Sequence, residues 1–351
     1  MSKETLTWLN TNTLIGMTEQ RGLSWHYRAE EQGELSNHYP GPIPVADVAA
    51  RLFDWDAIKV PVLAQFPADV ETATGLDDNG CPVAENKLPG LIAVARSDNH
   101  HVFKVFSTAY EPHQYREWLL GAVQRVLGDS LVVTSAGLLR KGGQAWVEVS
   151  VPETMHDART GFAYRPNVLA ATSLDGSLAT TYGRTVTATV CDNTMSAALL
   201  EAVGQRVKIR HSINSTLRVN EVHEAMNLLE ETSDNFTGTL RRLSSTTVTD
   251  RQWFDFLDAW HPLPVEEGRS RTTSMRIRDE LVDMYRSDIR ANSWRGTALG
   301  VVQAINTWAH HKQPVKGATR AERNQEGAIS GRFEKLDSHV LLTLGKVLSA
   351  A

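Results

Sequence analysis

The chain has 351 residues, with 36 Lys and Arg against 41 Asp and Glu, a net charge of −5 and two cysteines. That length accommodates two domains of ordinary size, and no apolar run approaches the roughly 20 residues that span a bilayer. Met1-Ser2-Lys3-Glu4-Thr5 lacks the pattern of a secretory leader, and Cys81 and Cys191 are far apart, so the expectation is a cytoplasmic protein with no membrane association, no disulfide framework and no cysteine zinc site.

The prolines of His38-Tyr39-Pro40-Gly41-Pro42-Ile43-Pro44 forbid helix there, whereas Val45–Phe53 has apolar residues at helical spacing. Lys59–Phe66 reads as a strand with Pro61 marking an edge or a bulge, and 68–90 reads as a polar loop. Two β-rich runs, Leu91–Arg96 and Val102–Phe106, flank a polar turn and predict a hairpin. Tyr115–Leu127 carries one apolar helical face and stops at Gly128. A second hairpin follows, Leu131–Leu139 and Ala145–Val151 around Arg140-Lys141-Gly142-Gly143, then strands Ala170–Leu174 and Thr180–Val190 around Asp175-Gly176-Ser177. Asn193-Thr194 is placed to cap a helix over Met195–Val203, and Val207–His211 alternates like a short strand. Helices are expected over Asn220–Leu243, from Thr249-Asp250 to Trp260, then Ser274–Arg290, Thr297–His311 and Lys335–Leu348. The fold class is therefore α+β: a curved antiparallel sheet built from hairpins with packed helices, followed by a mainly helical C-terminal region. The expected divisions are an N-terminal segment 1–60, an α+β core 61–264 and a helical region 265–351.

No phosphate loop, dinucleotide fingerprint, nucleophile elbow or H-E-x-x-H helix occurs, so no cofactor is expected. Asp78 with Glu85-Asn86-Lys87 matches the letters of a metal-nuclease strand but falls in the expected loop. His100-His101 sit in a turn, His310-His311 end a helix where cations complement the dipole, and His156-Asp157 suits an Asx-type turn. Cys191 reads as a small hydrophobe at the end of a buried strand.

Charge is uneven: about seven excess acids precede residue 200 and about two excess bases follow it. Basic residues interleaved with aromatics suit single-stranded nucleic acid, because phosphates pair with Arg or Lys while bases stack. Lys208, Arg210, His211 and Arg218 form one such group. Arg276, Arg278, Arg286, Arg290 and Arg295 form another, with Tyr285 and Trp294 as stacking rings, though Asp279, Glu280, Asp283 and Asp288 offer the arginines i,i+4 partners. Lys312, Lys316, Arg320 and Arg323 make a basic loop.

Val190-Cys191-Asp192-Asn193-Thr194-Met195 with Ala197-Ala198-Leu199, then Ile209-Arg210-His211-Ser212, resembles the signature of a phage- and plasmid-encoded protein family of unknown function. Asn292, Gly296-Thr297-Ala298 and Asn306-Thr307-Trp308-Ala309-His310 resemble its downstream segment, although Trp308 and Ala309 depart from the aromatic and acidic residues usual there. The hairpin–helix–hairpin order is also similar to phage single-strand annealing proteins of the RecT, Red-beta and Erf type. The resemblance implies a mobile-element DNA-metabolism protein, most simply one that binds and anneals single-stranded DNA as a homo-oligomer, without nucleotide hydrolysis. A host-protein-binding factor, or a metal-dependent nuclease using acids such as Asp157 and Asp175, are the alternatives.

Overall fold

A computed structural model describes residues 11–21, 36–124, 131–151, 154–188, 193–196, 206–212, 229–316 and 320–350. It is an α+β fold: antiparallel sheets occupy the N-terminal half, a mainly helical region follows, and neither sheet closes. Among the described residues two sheets stand where the sequence suggested one.

The larger sheet contains β1 (Thr13–Ile15), the hairpin β6 (Val132–Leu139) and β7 (Gln144–Ser150), β8 (Met155–Asp157), β9 (Phe162–Ser173), β10 (Thr180–Ala188), β11 (Asn193–Ser196) and β12 (Arg206–Ile209). Its main path runs β1-β6-β7-β9-β10-β11, with β8 on β9 and β12 on β10. The smaller sheet contains β2 (Ala57–Pro67), β3 (Gly75–Leu76), β4 (Pro82–Arg96) and β5 (Val102–Ser107). Both expected hairpins therefore form. Two readings need correction. Residues 82–90, read as loop, belong to β4: Pro82 opens the strand, and Pro89 sits where pairing with β2 jumps from Pro61↔Ile92 to Leu63↔Lys87, so neither ring removes a ladder hydrogen bond there. Asn193–Ser196, read as cap and helix start, is a strand on Thr185–Ala188, because pairing with β10 overrides a local capping preference. Residues 189–192 and 197–205, hence Cys191 and most of the expected helix, lie outside the described residues.

Helix α1 (Val45–Leu52) buries Val48 and Leu52. The helix expected at Tyr115–Leu127 begins as a π-helical turn, Arg116–Gly121, continuing through Gln124 and burying Trp118, Leu119 and Leu120. The C-terminal region holds α2 (Leu229–Ser245), α3 (Asp250–Trp260), α4 (Arg269–Ser287), α5 (Ala298–His311), α6 (Arg320–Ser330) and α7 (Arg332–Ser349). Helix α6 replaces the expected loop around Arg320 and Arg323; it is held by burial of Arg323, Asn324 and Ile329. Among the described residues no helix is long and apolar enough to cross a membrane.

Among the described residues three clusters form the core. Leu119, Ala136, Val147, Val168 and Tyr182 pack one face of the large sheet against α1, the π-helical turn and the base of the small sheet. Ile15, Leu139, Trp146, Leu169 and Ala171 pack the opposite face under Ile329. The third joins Phe162 and Tyr164 of β9 to Phe236, Trp253, Tyr285, Trp294, Ile305 and Leu344. It takes residues from both sides of 264, where the sequence suggested a division. Thr249 caps α3 as a capping box with Gln252. Thr249→Ala is expected to cost about 1 kcal/mol, read as a lowered urea midpoint with unchanged slope; an unaltered midpoint would remove the cap from the account.

Candidate nucleic-acid interface

One end of the large sheet gathers the turns. Leu139 pairs with Gln144, so Arg140–Gly143 close the β6–β7 hairpin. Arg140 and Lys141 both adopt left-handed backbone, with φ of 52° and 56°, a region costing a residue with a Cβ about 1–2 kcal/mol. Surrounding bonds impose it. The Gly143 amide donates to Arg140 O at 3.0 Å, the Leu174 amide to Gly143 O at 2.8 Å and the Tyr115 hydroxyl to Gly142 O at 2.7 Å. The neighbouring β9–β10 turn contributes Asp175, which faces Arg140 at 3.5 Å; Arg140 also pairs with Glu326 of α6.

The register Thr181↔Lys208 and Thr180↔Ile209 brings Arg210 and His211 out beside the same β9–β10 turn. Lys104 reaches this end from β5, its ammonium 5.7 Å from the Phe106 ring centre, and Phe106 lies against Gly176. Lys104, Lys141, Lys208 and Arg210 are exposed. Lys104, Lys141 and Arg210 make no ion pair among the described residues.

Behind these cations stands a column of five rings. Phe106 stacks on Tyr110 at 3.8 Å, Tyr110 on His211 at 5.2 Å, His211 on His113 at 4.0 Å and His113 on Trp118 at 3.8 Å. Polar bonds fix the register: Tyr110 Oη lies 2.9 Å from His211 Nδ1, His211 Nε2 lies 3.1 Å from Thr172 Oγ1, and His113 Nδ1 lies 2.6 Å from Thr180 Oγ1. Burial, helped by His211, lowers the His113 pKa to about 3, and burial lowers that of His211 to about 4. Burial also raises the Tyr110 hydroxyl, with Asp175 adding to it. Both imidazoles are neutral at pH 7, so His211 acts as a stacked ring and not as the cation its place beside Arg210 suggested.

Lys208, Arg210 and His211 thus come together, whereas Arg218 lies outside the described residues. The arginines of α4 and its flanks do not form a free cationic face. Arg276 pairs with Glu280 at 2.7 Å, Arg278 with Asp258 at 2.6 Å, Arg290 with Asp288 at 2.6 Å and Arg295 with Asp250 at 4.0 Å. Arg286 lies over Phe254, and Arg320 donates to the carbonyls of His310 and Gln313. Lys312 and Lys316 remain exposed in the α5–α6 connection. Neither expected stacking ring is accessible. Tyr285 is stacked on Trp253 with its hydroxyl accepting the Gly296 amide, and Trp294 packs on Phe162 while donating to Thr160 O. His310, expected as a cation at a helix end, is buried and its pKa falls to about 3.

Three of the acids considered for metal chemistry, Asp157, Asp175 and Glu85, are engaged elsewhere, Asp175 by Arg140 and the Ser177 amide and hydroxyl. Asp157 accepts two bonds from Arg241 and one each from the Thr160 amide and hydroxyl, and Glu85 accepts from Gln65. Among the described residues, no three His, Cys, Asp or Glu side chains form a metal-binding group. Sequence reasoning missed Lys104, Arg140 and Lys141, which read as an ordinary strand and turn. The available signal was a hairpin whose first two turn positions lack Gly, Asn and Asp.

Residues 102–330 match the family model described as a domain of unknown function, DUF932. No curated protein and no solved structure matches the chain.

Proposed function

Because this chain belongs to the DUF932 family, whose function is unknown, we propose from its own residues that it binds single-stranded DNA at the turn end of the large sheet and promotes annealing. The observation that carries this reading is Lys141, exposed, held in left-handed backbone and in no ion pair among the described residues, next to Arg140, which shares that backbone conformation while its guanidinium is engaged by Asp175 and Glu326. Strain at an exposed turn is retained where the surroundings over-determine it, and it clusters at functional positions. Lys104, Lys208 and Arg210 supply further phosphate partners around that turn, and the half-buried Phe106 and Tyr110 supply ring faces close by. Mobile-element DNA metabolism, suggested by the sequence signature, is consistent with such a site. The overall charge of −5 confines the attraction to this patch and makes it strongly dependent on salt.

Anisotropy of a labelled oligonucleotide titrated at several salt concentrations tests the reading. Lys141→Ala and Arg210→Ala are each expected to weaken binding several-fold and to reduce the slope of log K against log salt by about 0.7, the single-strand value per phosphate contact. Lys141→Gly separates binding from stability: it relieves the left-handed strain, raising stability by up to about 1 kcal/mol, while weakening the oligonucleotide complex. Absence of salt-dependent binding by the unaltered protein at low salt would end the proposal.

A further inference from the structure

The small sheet continues past its base as an arm. Between Pro61/Leu63 on β2 and Lys87/Ile92 on β4 the register jumps, and beyond that bulge Leu63–Pro67 pairs with Val83–Lys87, with Gly75–Leu76 of β3 added on the other side of β4 at the tip and the segment 68–81 closing the arm. This narrow arm, two strands wide until β3 joins at its tip, exposes Leu63, Phe66, Val70 and Leu76. Ribbons of this kind are marginal in water unless something packs on them. The tip is acidic: Asp69, Glu71, Asp77 and Asp78 fall between 68 and 81, with no Lys or Arg. Val70, 81% exposed, stands between Asp69 and Glu71.

At the arm's base the bulge opens a cavity of about 470 Å³. Its walls include Leu88, Pro89, Leu91 and Ile92, and Lys59 and Lys87 also line it. Lys59 pairs with Glu111, while Lys87 is exposed and makes no ion pair among the described residues. An apolar side chain flanked by two carboxylates at one end of the arm therefore matches an apolar cavity bordered by the unpaired Lys87 ammonium at the other. The two cannot meet within one chain, because Leu63–Pro67 separates them by about 15 Å of extended ribbon. We propose that the arm tip docks in the arm-base cavity of a second copy of this chain. Each copy offers one tip and one cavity, so reciprocal docking yields a closed two-fold dimer with neither left over.

Light scattering on the eluting full-length protein, without nucleic acid, tests this independently of DNA binding. The unaltered chain is expected to be dimeric, and Val70→Asp, Glu71→Lys and Lys87→Glu are each expected to weaken association at least tenfold. All three positions are exposed, and circular dichroism checks that each variant is folded. The decisive step is mixing: Glu71→Lys chains and Lys87→Glu chains, monomeric apart, are expected to form dimers together, since each tip then meets a cavity of opposite charge. A monomeric unaltered protein, dimers indifferent to these changes, or a mixture that stays monomeric would each overturn the proposal.

Discussion

Lowering the pH from 7 to 5 is expected to remove on the order of 5 kcal/mol of stability, comparable with the whole stability of many domains. His113, His211 and His310 are held neutral, with pKa values of about 3, 4 and 3. Burial is the main cause in all three. For His310, the bond to Asn306 O opposes it, while His311, Arg323 and Arg332 add to it. In the unfolded chain each imidazole takes up a proton near pH 6.5. Below that value the unfolded state binds more protons than the folded one, so stability falls with pH, by about 1.4 kcal/mol per unit for each such group. The loss begins near 6.5 and for each histidine continues to its folded value. Urea midpoints measured from pH 7 to pH 5 give the slope directly, and His310→Gln is expected to flatten it by about a third. A midpoint that stays constant over that range contradicts the neutral, buried assignment.

Gly300→Ala is expected to cost about 3 kcal/mol or more. A Cβ at Gly300, near the start of α5, would lie 2.7 Å from the carbonyl carbon of Trp294 and closer still to its oxygen. That oxygen already accepts from the Thr297 hydroxyl and amide, and the Trp294 ring is fixed against Phe162. Backbone held at both ends cannot yield as a surface side chain can. Gly238→Ala on α2 is the matched control: nothing lies within 4 Å of its added Cβ, so the change is expected to stabilise by about 0.5–1 kcal/mol. The two variants should move the thermal midpoint in opposite directions, and a Gly300→Ala protein as stable as the original would refute the close packing.

The helices and hairpins were legible where local chemistry and long-range packing agree. Thr249-Asp250 and Gln252 announce α3, Pro262 and Pro264 mark its end, and the alternation around Arg140–Gly143 announces β6 and β7. Legibility failed where a distant partner decides. Asn193 and Thr194 have the residue types of a helix cap, but β10 offers a ladder. Polar α6 shows little helical pattern because it is anchored through Ile329 under the large sheet and through Arg323 and Asn324 against the end of α5.

The candidate site followed the same rule. The i,i+4 partnership of Arg276 with Glu280 was readable from spacing, but that of Arg278 with Asp258 joins two helices and was not. Tyr285 and Trp294 looked like stacking platforms because sequence carries no record of the rings that cover them. Arg140 and Lys208 are far apart in the chain and strand order places them at one end of the large sheet, while Lys104, on β5 of the small sheet, reaches that end only because Phe106 packs against Gly176.

All twelve residues of β9 are buried, and its first part faces the helical cluster while its later part belongs to the sheet's own cores. The strand is common property of both halves of the molecule. Severing the polypeptide after Ser212 would spare every described strand yet strip Phe162 and Tyr164 of the cover that Phe236 and Trp294 give them, so part of the sheet's burial depends on residues far downstream.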